Sequence, residues 1–523
     1  MSNTHDIEQD GQIIVSGSQS RTHRITVPSG ESATFRGRVT DKWGRTSPWS
    51  SAITATSQSE GTVERLGLHV TTQELAIWRD RWNNGVSGDS FIDARVNDEK
   101  SRVISNRNTF ASSPNGHIWS LASGLVTSNG KFSGHDGSGL STQRGQAARM
   151  RDAAFWALMN QDSSLMNTIG GILHQQPDQA NCDFANDSRW EPPVQQMIDA
   201  MTPGFVVSHP MTIFMVTYSY HCIAVAEGWT NDLTQAQHDK IRDWCVAWGM
   251  YCEDGAERRI SQVLNRDTGQ VLSTNVWTFR DATEMYIGSP TNRSLYDRYN
   301  NRFFSCIRAM SFAGILFDNT FLLDMAQKAH EEFIIYALLP HGAVADMSRS
   351  YAARWQQAYI VLQSAHMMSS VDALARYSSD RNLYGFETTD GVLDTGGNPQ
   401  NFHGSHTESA KSYHFWLRSV ARYGNLTYNR QTPHGRFDFR DPDGSTQKIW
   451  SIGQHDAFVQ SSLAFPDDQL LKDYYRGING QPPWEVRGNG GSDLNDAFLF
   501  PAPYLMWAGL EGQVWPYPGV PQP

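Results

Sequence analysis

Hydrophobic and polar positions change rhythm once along this chain. In the first 60 residues the apolar positions come in short runs, Gln12–Val15, His23–Val27, Ala33–Thr40 and Ala52–Thr56, broken by Gly, Pro and Ser. Such runs predict short strands. From about residue 70 the apolar positions recur with the period of a helix. Ala147, Ala148, Met150, Ala153, Ala154, Trp156, Ala157 and Leu158 mark one amphipathic helix, and Leu165–Leu173 follows it closely. Ile213–Ala226 is nearly all apolar and predicts a buried helix, while Ile241, Trp244, Cys245, Trp248 and Cys252 repeat at helical spacing. Further helices are expected at about 276–288, 302–316, 321–338, 349–376, 408–423, 455–463 and 494–509. Asn319-Thr320 reads as a start signal and Gly424 as a stop.

This pattern predicts a mainly α protein, an array of helical hairpins behind a small N-terminal β segment. No strict repeat is visible, which disfavours a solenoid, so an α/α toroid is the expected architecture. The expected division is 1–60 for the β segment and 61–523 for the helical body. Three long glycine-rich loops interrupt the helices, at Ser128–Gly145, Thr388–His406 and Arg476–Asp493. Loops of that length are often functional, and at one end of a toroid they would rim a cleft.

Composition narrows the function. A net charge of −11 argues against a nucleic-acid partner. The chain holds 17 Trp and 18 Tyr, and 35 of its 43 basic residues are Arg. Aromatic rings stack on sugars and guanidinium groups grip carboxylates, although a large helical core accounts for such a composition equally well. The five cysteines, Cys182, Cys222, Cys245, Cys252 and Cys306, form no CxxC pair, so neither a disulfide framework nor a zinc knuckle is expected. The stretch Phe205–Trp229 contains Ser208, His209 and Pro210 and reads as a buried helix rather than a membrane span. The opening MSNTHDIEQDGQ lacks the apolar run of a signal peptide, so no export signal is expected. No GxSxG elbow, Walker A loop or HExxH pair occurs. His403 and His406, in NFHGSH, are candidates for acid/base work or substrate contact, and no third ligand points to a metal. No cofactor is expected.

Two resemblances add to this. The stretch TFRGRVTDKWGRTSPWSSAITAT resembles the last strands of a fibronectin type III module. The segment from His341 to Tyr377, with Asp346 and Arg349 as an acid-x-x-Arg pair entering a long apolar helix, resembles the core of the alginate lyase family of polysaccharide lyases. STNVWTFRDATEMYIG (273–288) is similar to that family's Asn-Asn-His segment, with Asn275 on the second asparagine and Val276 on the histidine. The family tyrosine falls on Gln356, with Tyr359 within one turn of it.

The resemblance implies an α/α toroid that cleaves an acidic polysaccharide by β-elimination. Fibronectin-like strands ahead of such a body resemble phage tail depolymerases. That places the protein in a virion or outside the cell, with other tail proteins as partners and no membrane insertion. Elimination removes the proton at C5, alpha to a carboxylate whose charge must be neutralised. Asn275 and Arg349 suit that neutralising role, and Tyr359, His403 or His406 the proton transfer. Asn275, Arg349 and one of the two histidines are expected to share one concave surface. Two other readings stay open: a toroidal glycoside hydrolase using carboxylates such as Asp281, Glu284 and Asp346, and a non-catalytic adhesin.

Overall fold

The first residues form a strand by pairing rather than by apolar content. In the computed structural model, β1 (Thr4–Gln9) turns through Asp10 and Gly11, both at positive φ, into β2 (Gln12–Ser18). An Asp-Gly pair with both residues left-handed matches the twist of a two-residue hairpin. β3 (Ser32–Thr40) and β4 (Ile53–Thr56) complete an antiparallel sheet in the order β2-β1-β3-β4. Asp6 lies opposite Arg38 and Glu8 opposite Arg36, and both pairs are joined as ion pairs. The Arg38 guanidinium stands 4.5 Å from the centre of the Trp49 ring and that of Arg36 5.8 Å from it. The apolar runs at 12–15, 33–40 and 52–56 therefore become strands, and the polar THDIEQ is a strand that apolar patterning does not reveal.

The structure describes residues 4–18, 32–56 (except 42–43), 65–118, 137–178, 201–264, 271–274, 301–334, 338, 367–388, 392–393, 399–400, 411–418, 454–476 and 499–514 (except 512). The expected strand His23–Val27 and the expected helix at 276–288 lie outside these residues. The chain divides into two compact units, Met1–Glu64 and Arg65–Pro523.

The second unit is mainly helical. It opens with the hairpin β5 (Arg65–Leu66) and β6 (Val70–Thr71), which turns at Gly67. There φ is +61°, and a Cβ would stand 2.0 Å from the Ser219 hydroxyl, which accepts the Leu68 N–H at 3.0 Å. Only glycine fits so close an approach. Thr71 and Glu74 cap α1 (Thr72–Asn84) reciprocally, and Asp89 caps α2 (Ser90–Ser112). Then come α3 (Gly137–Asn160), α4 (Ser163–Leu173), α5 (Met201–Ala226), α6 (Gln235–Ser261), α7 (Asn301–Leu316) and α8 (Thr320–Glu332). The expected start at Asn319 is a true cap, with its side chain accepting the Leu322 N–H.

Helices α2, α3, α5 and α7 pack in succession, with α4 against α3 and α5, α6 against α5 and α7, and α8 against α7. Helices α9 (367–377) and α10 (413–418), then α11 (Gln454–Ser462), α12 (Gln469–Arg476) and α13 (Pro503–Trp507), follow. The last of these packs on α1 and α2. Glu99 accepts the Tyr504 and Leu505 N–H groups, and Arg81 donates to the carbonyls of the same two residues. Among the described residues one continuous core includes Trp78, Phe155, Tyr220, Trp248, Trp416 and Trp507.

Three expectations need correction. The loop expected at 128–145 is helical from Gly137, since extending a docked helix adds a backbone hydrogen bond for each residue fixed. The helix expected at 494–509 shrinks, among the described residues, to Pro503–Trp507, because Pro501 and Pro503 remove the backbone donors that an earlier start needs. The loop expected at 388–406 contains a small ladder, Val392–Leu393 against Pro399–Gln400. Among the described residues no helix is long and apolar enough to cross a membrane.

Candidate active site

Asn275, Arg349, Tyr359, His403 and His406 all lie outside the described residues, as do Asp281, Glu284 and Asp346. Among the described residues, the group best suited to proton transfer sits on α10 and on the turn between α11 and α12. Helix α10 is amphipathic over little more than one turn. Tyr413, Trp416 and Leu417 are fully buried, while His414 and Arg418, four residues apart on one face, are partly exposed.

Both side chains meet Asp468. His414 Nε2 lies 2.6 Å and Arg418 Nη1 2.6 Å from Asp468 Oδ2. The other carboxylate oxygen caps α12 by accepting the Leu470 and Leu471 N–H groups at 3.0 and 3.4 Å. Asp468 is 3% exposed on its side chain, against 31% for His414 and 41% for Arg418. Burial would raise the Asp468 carboxyl. The hydrogen bonds and charges of His414 and Arg418 outweigh burial and bring it down to about 2. The carboxylate only accepts, so the proton of this hydrogen bond sits on His414 Nε2, and in a neutral imidazole the lone pair is then on Nδ1. The ring is stacked on Phe465, with centroids 4.0 Å apart and planes 10° from parallel. An imidazole fixed by a buried carboxylate and itself partly exposed is suited to the work of a general base.

Behind α10 lies a buried polar network. His330 on α8 meets the Tyr413 hydroxyl at 2.5 Å through Nδ1 and the Ser370 hydroxyl at 2.8 Å through Nε2, and Ser370 meets Ser311 at 2.5 Å. All four residues are fully buried. Burial lowers His330 to about 3, so the ring is neutral and serves as a packed hydrogen-bonding group. Lys411, just before α10, is also fully buried, donates to the Leu338 carbonyl at 2.9 Å, and is lowered by burial to about 7. Farther along α9, Arg376 joins Glu74 and Asp372, and Gln460 donates to Asp372 at 2.6 Å.

A second histidine is oriented in a comparable way between α5 and α6. Tyr218 Oη stands 2.6 Å from His238 Nδ1, and His238 Nε2 stands 2.8 Å from Asp232. Both ring nitrogens are engaged there and Tyr218 is only 5% exposed, so this chain staples the helix connection. For His414, by contrast, Nδ1 has no partner among the described residues. Among the described residues no group of three His, Cys, Asp or Glu is placed to hold a metal ion. Cys222, Cys245, Cys252 and Cys306 are free thiols, and Cys182 lies outside the described residues.

Sequence reasoning missed this group. Its signals are faint: His414 and Arg418 share a helix face in the segment expected at 408–423, and Asp468 stands at a helix start. Nothing in the sequence pairs residues 54 apart. Comparison of the chain with known protein families, curated proteins and solved structures gives no match.

Proposed function

We propose that this protein is a polysaccharide lyase that cleaves an acidic, uronic-acid-containing polysaccharide by β-elimination. In this reading the helical body is an α/α toroid. The N-terminal sheet is a fibronectin type III-like segment that joins it to other proteins of a phage tail, acting in the virion or outside the cell. The packing of α13 on α1 and α2, which brings the end of the body to its beginning, is consistent with a closed ring.

The observation that carries the reading is the His414–Asp468 pair, in which Nε2 faces the carboxylate and Nδ1 has no partner among the described residues. The C5–H bond breaks and its proton passes to that nitrogen. The electron pair forms the C4=C5 bond as the C4–O bond breaks, and the departing sugar oxygen takes up a proton. Asp468 holds the ring in the tautomer that can accept and stabilises the imidazolium that results. In this reading Asn275 and Arg349, given by the sequence resemblance, neutralise the carboxylate, and Tyr359 or the loop histidines His403 and His406 remain candidates for proton transfer, including its return to the departing oxygen.

The test is a panel of uronate polymers, with ultraviolet absorbance of the unsaturated product and new reducing ends followed together. A lyase raises both. Reducing ends without absorbance would replace the reading with hydrolysis, and binding without either would replace it with an adhesin. His414→Gln should lower turnover by about 10²–10⁴, the usual contribution of a positioned acid or base, with the melting temperature kept.

A further inference from the structure

Two of the buried thiols touch. Helix α6 packs on α7, and the thiols of Cys252 on α6 and Cys306 on α7 are hydrogen-bonded to each other. Both residues are at most 2% exposed. One turn earlier on the same face of α6 stands Gly249, where a Cβ would lie 2.5 Å from Leu322 Cδ1 and 3.4 Å from Ala313 Cβ. Ala313 is two turns beyond Cys306 on α7, so the two helices run antiparallel through both contacts. A glycine at such a contact brings helix axes to the short end of their usual separation of about 8–10 Å. Facing Cα atoms can then lie within the roughly 4.4–6.8 Å that a disulfide spans. The other described thiols are placed differently. Cys222 is hydrogen-bonded to Tyr218, and Cys245, two turns before Cys252, is raised by burial alone.

We propose that Cys252 and Cys306 form a redox site, which a small-molecule disulfide such as oxidised glutathione converts from two thiols into a cross-link between α6 and α7. One thiol gives up its proton, and its sulfur attacks the S–S bond of the oxidant. One glutathione thiol leaves and a mixed disulfide remains on the protein. The second protein thiol then loses its proton and attacks the protein sulfur of that mixed disulfide, so the second glutathione leaves as a thiol. The protein loses two hydrogens with their electrons, and the two glutathione molecules carry them away. In the closed helix pair, the Cys306 hydrogen bond and burial hold the Cys252 thiol well above its ordinary value. The thiolate is the attacking form, so the folded pair resists oxidation until the helices part enough to admit the oxidant. Once made, the bond closes the long loop between residues 252 and 306 and restricts the unfolded chain. In a reducing compartment the pair stays as thiols, and in an oxidising one it locks α6 to α7. This inference is independent of the lyase reading.

The test holds the folded full chain in oxidised glutathione, with and without urea at a concentration below its unfolding transition, so that helix opening is sampled. Remaining thiols are blocked with N-ethylmaleimide, the chain is digested, and the peptides are weighed. The expected product is one peptide pair joining Cys252 to Cys306, two hydrogens lighter than the separate peptides and parted by dithiothreitol. The cross-linked chain should melt about 2–4 °C above the reduced chain, the rise that closure of a long loop gives in a body of this size. Cys306→Ala should abolish both the peptide pair and the oxidation-linked rise, whatever its own melting temperature, because each variant is compared with its own reduced form. Three results would overturn the proposal: both cysteines still carrying the maleimide after the urea incubation, either one joined to a different cysteine, or a cross-linked chain that melts no higher than the reduced one.

Discussion

Replacing Arg376 by Met tests the buried charge cluster that ties the first helix of the body to α9 and α11. Arg376 Nη1 lies 2.5 Å from Glu74 Oε2 and its Nε 2.7 Å from Asp372 Oδ2, with all three side chains at most 2% exposed. The substitution keeps an apolar stem of similar length but removes the cation between two buried carboxylates. Glu74 would keep the Thr71 amide and hydroxyl, each at 2.9 Å, and Asp372 would keep Gln460 at 2.6 Å. These hydrogen bonds do not replace a charge. Removing one partner of a buried pair costs about 3–5 kcal/mol, because a charge is left uncompensated. For a body of about 460 residues, an unfolding entropy of about 2.1 cal/mol/K per residue gives about 1 kcal/mol per degree. The melting midpoint should therefore fall by about 3–5 °C, read by calorimetry at neutral pH. Two carboxylates deprived of their cation hold protons more tightly, so the deficit against wild type should narrow as both are measured at lower pH. The triple variant Arg376→Met, Glu74→Gln, Asp372→Asn should recover most of the loss. A fall under about 1 °C, or a triple variant no better than the single one, would refute the assignment of the energy to uncompensated charge.

Other expectations follow from the buried groups near α10. His330 is lowered to about 3 from an ordinary 6.5, so the unfolded chain binds the extra proton between those values. Its contribution is complete above about 6.5 and is lost as pH falls toward about 3, by up to about 5 kcal/mol. His330→Gln should flatten that part of the stability profile, and an unchanged acid limb would disprove the link. Lys411 is lowered to about 7 from 10.5, so the folded state resists its charge and stability should rise with pH between those values. Lys411→Met should stabilise at neutral pH by about 1–4 kcal/mol, with the gain shrinking toward pH 10, and a gain independent of pH would contradict the cause. Asn319→Ala removes the cap of α8 and should cost about 1 kcal/mol in chemical denaturation. Gly67→Ala should cost more than that cap, since the new methyl meets the Ser219 hydroxyl at a left-handed position, and Gly67→Ala with Ser219→Ala should recover part of the loss.

The sequence by itself determined where burial is local. The helical period of Ala147–Leu158, Leu165–Leu173 and Ile213–Ala226 became α3, α4 and the buried half of α5, and Asn319 capped where its position promised. The runs at 12–15, 33–40 and 52–56 became strands too, although Ile13, Ile14 and Ile53 stay exposed there, so their β-forming residues rather than burial made them legible. Asn275, Arg349 and Tyr359 rest on sequence resemblance and His403 and His406 on a loop motif, all five being outside the described residues. Tertiary structure decided what lies opposite what. The strand at Thr4–Gln9 exists because Asp6 and Glu8 meet Arg38 and Arg36 across the ladder, and its own residues are too polar to announce it. Arg376 meets Glu74 across 302 residues, and His414 meets Asp468 across 54. Such pairings depend on how helices pack rather than on any spacing within one of them. A carboxylate that reads in sequence as an ordinary helix cap becomes the anchor of an imidazole and a guanidinium only when α10 settles over the start of α12 and excludes water from it.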